Sequence, residues 1–422
     1  MNTDAMVSRR TLLAAAVALI TAGCAPAAGS GSGEGLVWVT GGIAAADQGP
    51  AMDIAKRWNQ SHPHGPTVRV EALPPSADQQ RQVLGLELNA GLRNFDIFDL
   101  DVAFTPEFAQ RGWLVDLHDV RSHIEQAALP GPLQTAVWNG TLWAVPYVTD
   151  AGVLFYRTDL VDKPPATWEE LVEIGHQVGE RNGIAPFVAD GKQYEGLVVQ
   201  YLEYFWGLGG DVFDRDGQSV LFQLDKALQA VEFMRSAFLE GVYAPGFDTM
   251  DVEEARNTFK AGDAVFLRLW PYAYQQLNGA DPDSLVAGRV GIAALPVFRG
   301  HDPVAALGGH NLAVSPFSRN IPGAKEFVRF AATSPEVQLM LAQRYSRPPT
   351  LKVTYHDLAA DPVMSVLATV LPTAKPRPAT THWATISAQM QQQIFAAYTG
   401  SSDPASTVGA LRRFLIATVN GS

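Results

Sequence analysis

Three short apolar runs separated by two amphipathic stretches fill residues 36–100, and this alternation leaves few folds open. Leu36 to Thr40 reads as a buried strand, and Ala51, Ile54, Ala55 and Trp58 mark one face of the helix after it. Val68 to Leu73 is a second strand, Ala77 to Gly91 a second helix and Phe95 to Leu100 a third strand. The order βαβαβ predicts a parallel α/β sheet, since parallel neighbours need a crossover and a helix is the usual one. Farther on the chain reads as more helical. Thr167-Trp168-Glu169-Glu170 has the form of a capping box, Asp225 stands where it can cap a helix, and Ser334-Pro335 opens another with Pro at its first position. Ile386, Met390 and Ile394 make one stripe in a helical tail. Strands recur at Val265–Leu267, Val290–Ala293 and Asn311–Val314, too late to be simple extensions of the first sheet. They predict a chain that crosses more than once between two lobes.

The first residues point to export. Arg9-Arg10-Thr11-Leu12-Leu13 leads into an apolar run that ends at Ile20, and Thr21-Ala22-Gly23-Cys24 follows. A positive start, a short apolar stretch and small residues before a cut point make a secretory signal over 1–23, and the arginine pair suggests the twin-arginine route. The run is shorter than the roughly 20 residues a membrane-spanning helix needs. Cys24 is the single cysteine and sits as in a lipobox, which predicts a lipidated N-terminus on the outer face of the cell membrane; Thr21 departs from the usual Leu. An incidental buried cysteine behind an ordinary signal is the alternative. Residues 24–35 (CAPAAGSGSGEG) read as the anchor and a flexible tether.

With Cys24 so used, no cysteine is left for disulfides, thiolate zinc sites or nucleophilic catalysis. The ~390 remaining residues must be held by large cores, which implies more than one domain. A formal net charge of -12 argues against nucleic acid and anionic membrane surfaces as partners.

Several segments, in order, resemble the extracellular solute-binding proteins of ABC importers, family 1, in particular the maltose and trehalose group that includes actinobacterial trehalose-binding lipoproteins. They are Trp138 to Tyr147 (WNGTLWAVPY), Thr149 to Arg157, Thr167 to Leu171, Ala255 to Tyr272 (ARNTFKAGDAVFLRLWPY), Ala294-Leu295-Pro296 and Gly308 to Val314. Gln193 to Leu197 and Arg347 to Thr350 carry the likeness to the trehalose and maltose receptors. The resemblance implies an α/β, two-lobed, periplasmic-binding-protein-like (type II) fold with three hinge segments and a ligand cleft between lobes. Lobe 1 would comprise about 36–148 plus 297–345, and lobe 2 about 149–296 plus 346–422. It further implies a monomer without cofactor or metal, which binds a disaccharide and serves a permease powered by a separate ATPase.

A neutral sugar presents C–H faces to planar aromatics and hydroxyls to carboxylates, amides and arginine. Trp270, at a strand end before Pro271, matches the family's stacking Trp; a core indole is the other reading. Tyr272 stands two residues on. Asp150 falls at the expected first hinge, as a cleft-floor carboxylate or a turn residue. Asp101 ends the third strand, where open α/β sheets place ligands, or caps the helix near Pro106. Glu195 accepts sugar hydroxyls or favours a helix start. Arg347 donates to sugar oxygens or pairs with a lobe surface. His310 follows Gly308-Gly309 and is equally a core residue, and Asp47 or Gln48 would line the first loop. A glycoside hydrolase is the main rival, since carboxyls about 5–9.5 Å apart across a sugar also make an enzyme. A receptor for another polar solute is the third. G-x-S-x-G, H-E-x-x-H and the G-x-x-x-x-G-K-[ST] phosphate loop are all missing from the sequence, and His62-Pro63-His64 reads as a solvated turn.

Overall fold

The computed structural model describes residues 35–214, 219–279 and 281–420. The signal segment, Cys24 and the tether up to Glu34 lie outside the described residues.

The strands are β1 (Leu36–Gly41), β2 (Val68–Leu73), β3 (Ile97–Asp101), β4 (Val137–Trp138), β5 (Thr141–Leu142), β6 (Val145–Ala151), β7 (Val153–Arg157), β8 (Ala185–Val188), β9 (Ala264–Leu269), β10 (Val290–Ala294), β11 (Ala306–Val314) and β12 (Lys375–Pro376). The expected βαβαβ unit is present, with β1 parallel to both β2 and β3. Its apolar faces meet in a core built on Trp38, Trp58, Phe98 and Phe108, all fully buried. Each such side chain contributes about 1.5–3 kcal/mol on burial.

The larger sheet runs β12-β11-β3-β1-β2, with β6 on the other edge of β11; the smaller runs β10-β7-β9-β8. The chain leaves the larger sheet after Ala151 and enters the smaller at Val153. It returns between Ala294 and Ala306, when β11 inserts antiparallel between β3 and β6. After the helix Pro335–Tyr345 it passes over once more, and the helix Pro362–Val370 packs on β10. The tail helices Trp383–Tyr398 and Pro404–Asn420 pack with Leu224–Leu239, on the side of the smaller sheet. The strands near 290 and 311 thus lie in different sheets.

Local signals in the sequence hold with two exceptions. Ser334 caps its helix by accepting from Val337 N, with Pro335 first. Thr167 accepts from Glu170 N, but the Glu170 carboxylate accepts from Ala166 N rather than from Thr167 N, so the box is offset by one residue. Asp225 is no cap: its helix starts at Leu224, with Gln223 at the N-cap position and Asp225 in the first turn.

Candidate functional site

The register of β11 assembles the floor of the site. Gly308 stands opposite Asp150 on β6, and His310 stands opposite Asp101 on β3. Residues two apart on a strand share a face, as do directly opposed residues on neighbouring strands. Asp150, Gly308, His310 and Asp101 therefore form a row on one face of the larger sheet, at the end where β3 stops.

Trp270 reaches this row from the smaller sheet, just past β9. A Cβ added to Gly308 would lie 2.8 Å from Trp270 Cζ3 and 3.4 Å from Asp150 Cβ, so the indole rests on bare backbone beside the carboxylate. Behind the ring, the Arg268 guanidinium lies 4.5 Å from its centroid. Arg268 is itself buried and forked onto Glu203 at 2.7 and 2.8 Å, with Asp190 at 3.4 Å. Glu203 Oε1 also accepts from Ala306 N, the first residue of β11. A side chain on Gly152, in the first passage between sheets, would run into that same carboxylate. The Trp270 indole is in this way joined to the first two passages between the sheets.

Asp101 and Glu195 converge on a residue that the sequence reasoning passed over. Arg377 donates from Nη2 to Asp101 Oδ1 at 2.7 Å and from Nη1 to Glu195 Oε1 at 2.8 Å. Arg377 stands in Lys375-Pro376-Arg377-Pro378, directly after β12, and no local pattern marks it. A lone arginine flanked by prolines was the one available hint. Glu195 opens the helix Glu195–Gly207, yet its carboxylate also accepts from Trp383 Nε1 at 2.9 Å and from Ser387 Oγ. Protein donors surround it, so its first task is to hold Arg377. Asp101 does not cap the helix Thr105–Gln110, whose N-cap position is Phe104; its Oδ1 accepts from Ala103 N. Asp99, on the same strand, is structural, accepting from Trp38 Nε1, Tyr147 Oη and Thr40 Oγ1.

Four buried polar atoms in and beside this floor have no protein partner among the described residues: Asp150 Oδ1, Thr149 Oγ1, His310 Nδ1 and Arg377 Nε. Burial pushes the Asp150 carboxyl up to about 7, with Arg347 pulling it down and Asp101 pushing it further up. Burial lowers the His310 imidazole, against the pull of Asp99 and Asp101. A carboxyl raised on folding favours the native state below its unfolded pKa and loses that contribution as pH rises through the folded one. Stability of the ligand-free protein should therefore fall by up to about 1.4 kcal/mol per pH unit between about pH 4 and 7 on account of Asp150. Urea denaturation of Asp150→Asn and wild type across that range checks it. The difference between the two should shift with pH in this sense, and parallel curves would refute the assignment.

A family model described as bacterial extracellular solute-binding protein matches residues 44–338. The chain belongs to that family. A probable ABC transporter-binding protein of Deinococcus radiodurans is 37% identical over 332 residues, 75% of this chain and 77% of its own. Among solved structures, maltose-bound MalE3 of T. maritima is similar with a TM-score of 0.85 at 33% identity, over 91% of this chain and 99% of that one. The maltotriose binding protein of Thermus thermophilus, bound with maltotriose, shares the fold at 20% identity, with a TM-score of 0.77 over 90% and 98% of the two chains. The two-lobed type II architecture follows, and with it the role of a solute-binding component of ABC transporters. Membership in an extracellular family implies export, and no helix among the described residues is long and apolar enough to cross a membrane.

In this solute-binding protein the remaining expected site residues collect at the cleft mouth. Asp47 and Gln48, in the turn between the helices Gly42–Ala45 and Pro50–Ser61, line a cavity of about 460 Å³ together with Tyr272, Gln275, Gln276 and Arg347. The Arg347 guanidinium lies 5.6 Å from the Tyr272 ring centroid, and the Tyr272 hydroxyl donates to Glu253 at 2.9 Å. Arg347 makes no side-chain hydrogen bond or ion pair among the described residues, so the lobe-surface salt bridge weighed for it is not formed. Asp47 is exposed at the rim, apart from the Asp150–Trp270 floor.

Proposed function

We propose that this protein captures a disaccharide of the trehalose or maltose type, an α-glucoside, and delivers it to a membrane permease driven by a separate ATPase. The carrying observation is a set of buried, unpartnered polar atoms in and beside the row on which the Trp270 indole rests. Buried polar groups are nearly always hydrogen-bonded, and hydroxyls of a ring held against Trp270 would meet Asp150 Oδ1, His310 Nδ1 and Arg377 Nε. One partner that donates, accepts and offers a flat apolar face suits all of them, and a sugar is such a partner. Asp101 completes the floor and Glu195 holds Arg377 beside it, while Arg347, Tyr272 and Asp47 would set the rim. The maltose and maltotriose of the two solved relatives favour a glucoside.

Two halves divided at about 36–148 plus 297–345 and 149–296 plus 346–422 would grip the ring. Closure would follow the ligand's greater affinity for the closed state. Anchoring through lipidated Cys24 and action as a monomer complete the proposal.

Calorimetric titration with trehalose, maltose and related disaccharides, with product analysis of the same mixtures, tests it. Tight binding without turnover is expected. Hydrolysis would instead favour the glycosidase reading, and indifference to every sugar would favour another polar solute. Trp270→Ala is expected to weaken binding by about 1–3 kcal/mol, the loss of aromatic contact with a flat ligand face. Unaltered affinity would remove the indole from the site.

A further inference from the structure

The helix Glu195–Gly207 starts without a cap of its own, since Tyr194 stands at its N-cap position and makes no side-chain bond to it. The missing acceptor comes from far away in the chain. Asp78 Oδ2 accepts from Glu195 N at 2.9 Å, across 117 positions. Asp78 lies in the first turn of the helix Ala77–Asn89, which crosses from β2 to β3 of the larger sheet. Ser76 caps that helix by accepting from Gln79 N, so the Asp78 carboxylate serves a second helix instead. The helix it serves stands between β8 and β9 of the smaller sheet and packs on Leu224–Leu239 and the tail helix Trp383–Tyr398. From that tail helix, Gln391 Nε2 reaches the same Asp78 oxygen at 3.5 Å and Ser387 Oγ at 3.1 Å.

One carboxylate on the larger-sheet side thus holds two groups on the smaller-sheet side, and none of the three is among the unpartnered atoms of the floor. The junction is narrow. Arg81, one turn along from Asp78, lines a groove of about 380 Å³ together with Thr385, Gln389 and Gln392 of the tail helix. Its guanidinium forks onto Glu107 of the larger-sheet side at 2.6 Å, not onto the tail. A few hydrogen bonds beside an open groove can part without exposing a packed core. Like charges also work against the contact. Burial pushes the Asp78 carboxyl up, the bond from Glu195 N pulls it down and the charge of Asp101 pushes it up again. Asp78 in turn acts on the Glu195 carboxyl in the raising direction. Hydrogen bonds draw the two sides together while the carboxylates resist, which makes a reversible clasp rather than a fixed joint.

We infer that Asp78 is a positioning residue, a latch that holds the cleft closed in part of the population before any ligand enters. It touches no ligand and raises affinity by lowering the cost of closure. The inference rests on the closure of two halves proposed above, and adds that groups of the protein itself, and not the solute alone, draw them together.

The test is small-angle X-ray scattering of the ligand-free protein as wild type, Asp78→Ala and Asp78→Asn, with maltose and trehalose titrated calorimetrically into each. Ligand-free Asp78→Ala should have the larger radius of gyration, and a saturating sugar should bring it to the wild-type value. Its sugar affinity should fall about three- to thirtyfold, the effect of losing one helix cap. Asp78→Asn keeps an oxygen acceptor and should lie nearer to wild type in both respects. A cap that is merely structural would lower the unfolding midpoint and leave the ligand-free radius alone. Equal radii therefore overturn the latch, as does an Asp78→Ala affinity equal to that of wild type. If neither sugar binds while the radii still differ, the sugar-binding reading falls and the latch stands.

Discussion

Arg268→Leu should lower the unfolding free energy by about 3–5 kcal/mol, the cost of leaving buried charge uncompensated. Arg268 is fully buried, and its guanidinium is the cation for Glu203 and Asp190, which are buried too. Even with that cation in place, burial pushes Asp190 up to about 6. Without it, the Asp190 carboxyl would shift further upward and take up a proton to escape the penalty. The loss should therefore be larger at pH 8 than at pH 5.5, where protonation relieves it. Urea denaturation at the two pH values measures both effects. A loss under 1 kcal/mol at pH 8 would mean that the triad is not the support it resembles. Joint replacement of Arg268 and Glu203 by leucine should recover part of the loss, since exchanging a whole buried ion pair for apolar groups is often close to neutral. The variant also removes the cation behind Trp270, so sugar affinity should fall along with stability.

Arg377→Leu should cost about 2–5 kcal/mol of sugar affinity, in the manner of a buried, hydrogen-bonded charge truncated on one side. Arg377 gathers Asp101 at the end of β3 and Glu195 at the start of the helix Glu195–Gly207, and its Nε is buried without a protein partner among the described residues. Leucine removes a ligand donor and sets two carboxylates near each other without a shared cation. Arg377→Lys separates these contributions. It keeps the charge but has no planar fork, so it cannot hold both carboxylates and also donate sideways. Lysine should restore most of the stability lost with leucine but little of the affinity. Calorimetry paired with denaturation checks this; equal recovery of both would make Arg377 a purely structural cation.

How much of this was readable beforehand differs from element to element. The βαβαβ order, the Ser334 cap and the strand ending before Trp270 are written in spacings of two to four residues, and each stands where those spacings put it. The places of Trp270 and Asp150 in the fold were legible because a strand end and the approach to a passage between sheets are themselves local features. Asp225 was misplaced because a cap and a first-turn acid differ by a shift that composition does not register.

The partnerships of the site lie on a different length scale. Arg377 meets Asp101 and Glu195 across 276 and 182 positions of the chain, and Trp383 reaches Glu195 across 188. No period of 2 or 3.6 residues extends so far, because those periods come from the geometry of one strand or one helix. That Glu195 is ringed by protein donors follows from the tail folding back, which brings Arg377, Trp383 and Ser387 to it. Backbone stereochemistry acts between near neighbours and so can be read along the chain. Which carboxylate finds which guanidinium is settled by burial, when distant segments are excluded from water together and their charges must be matched.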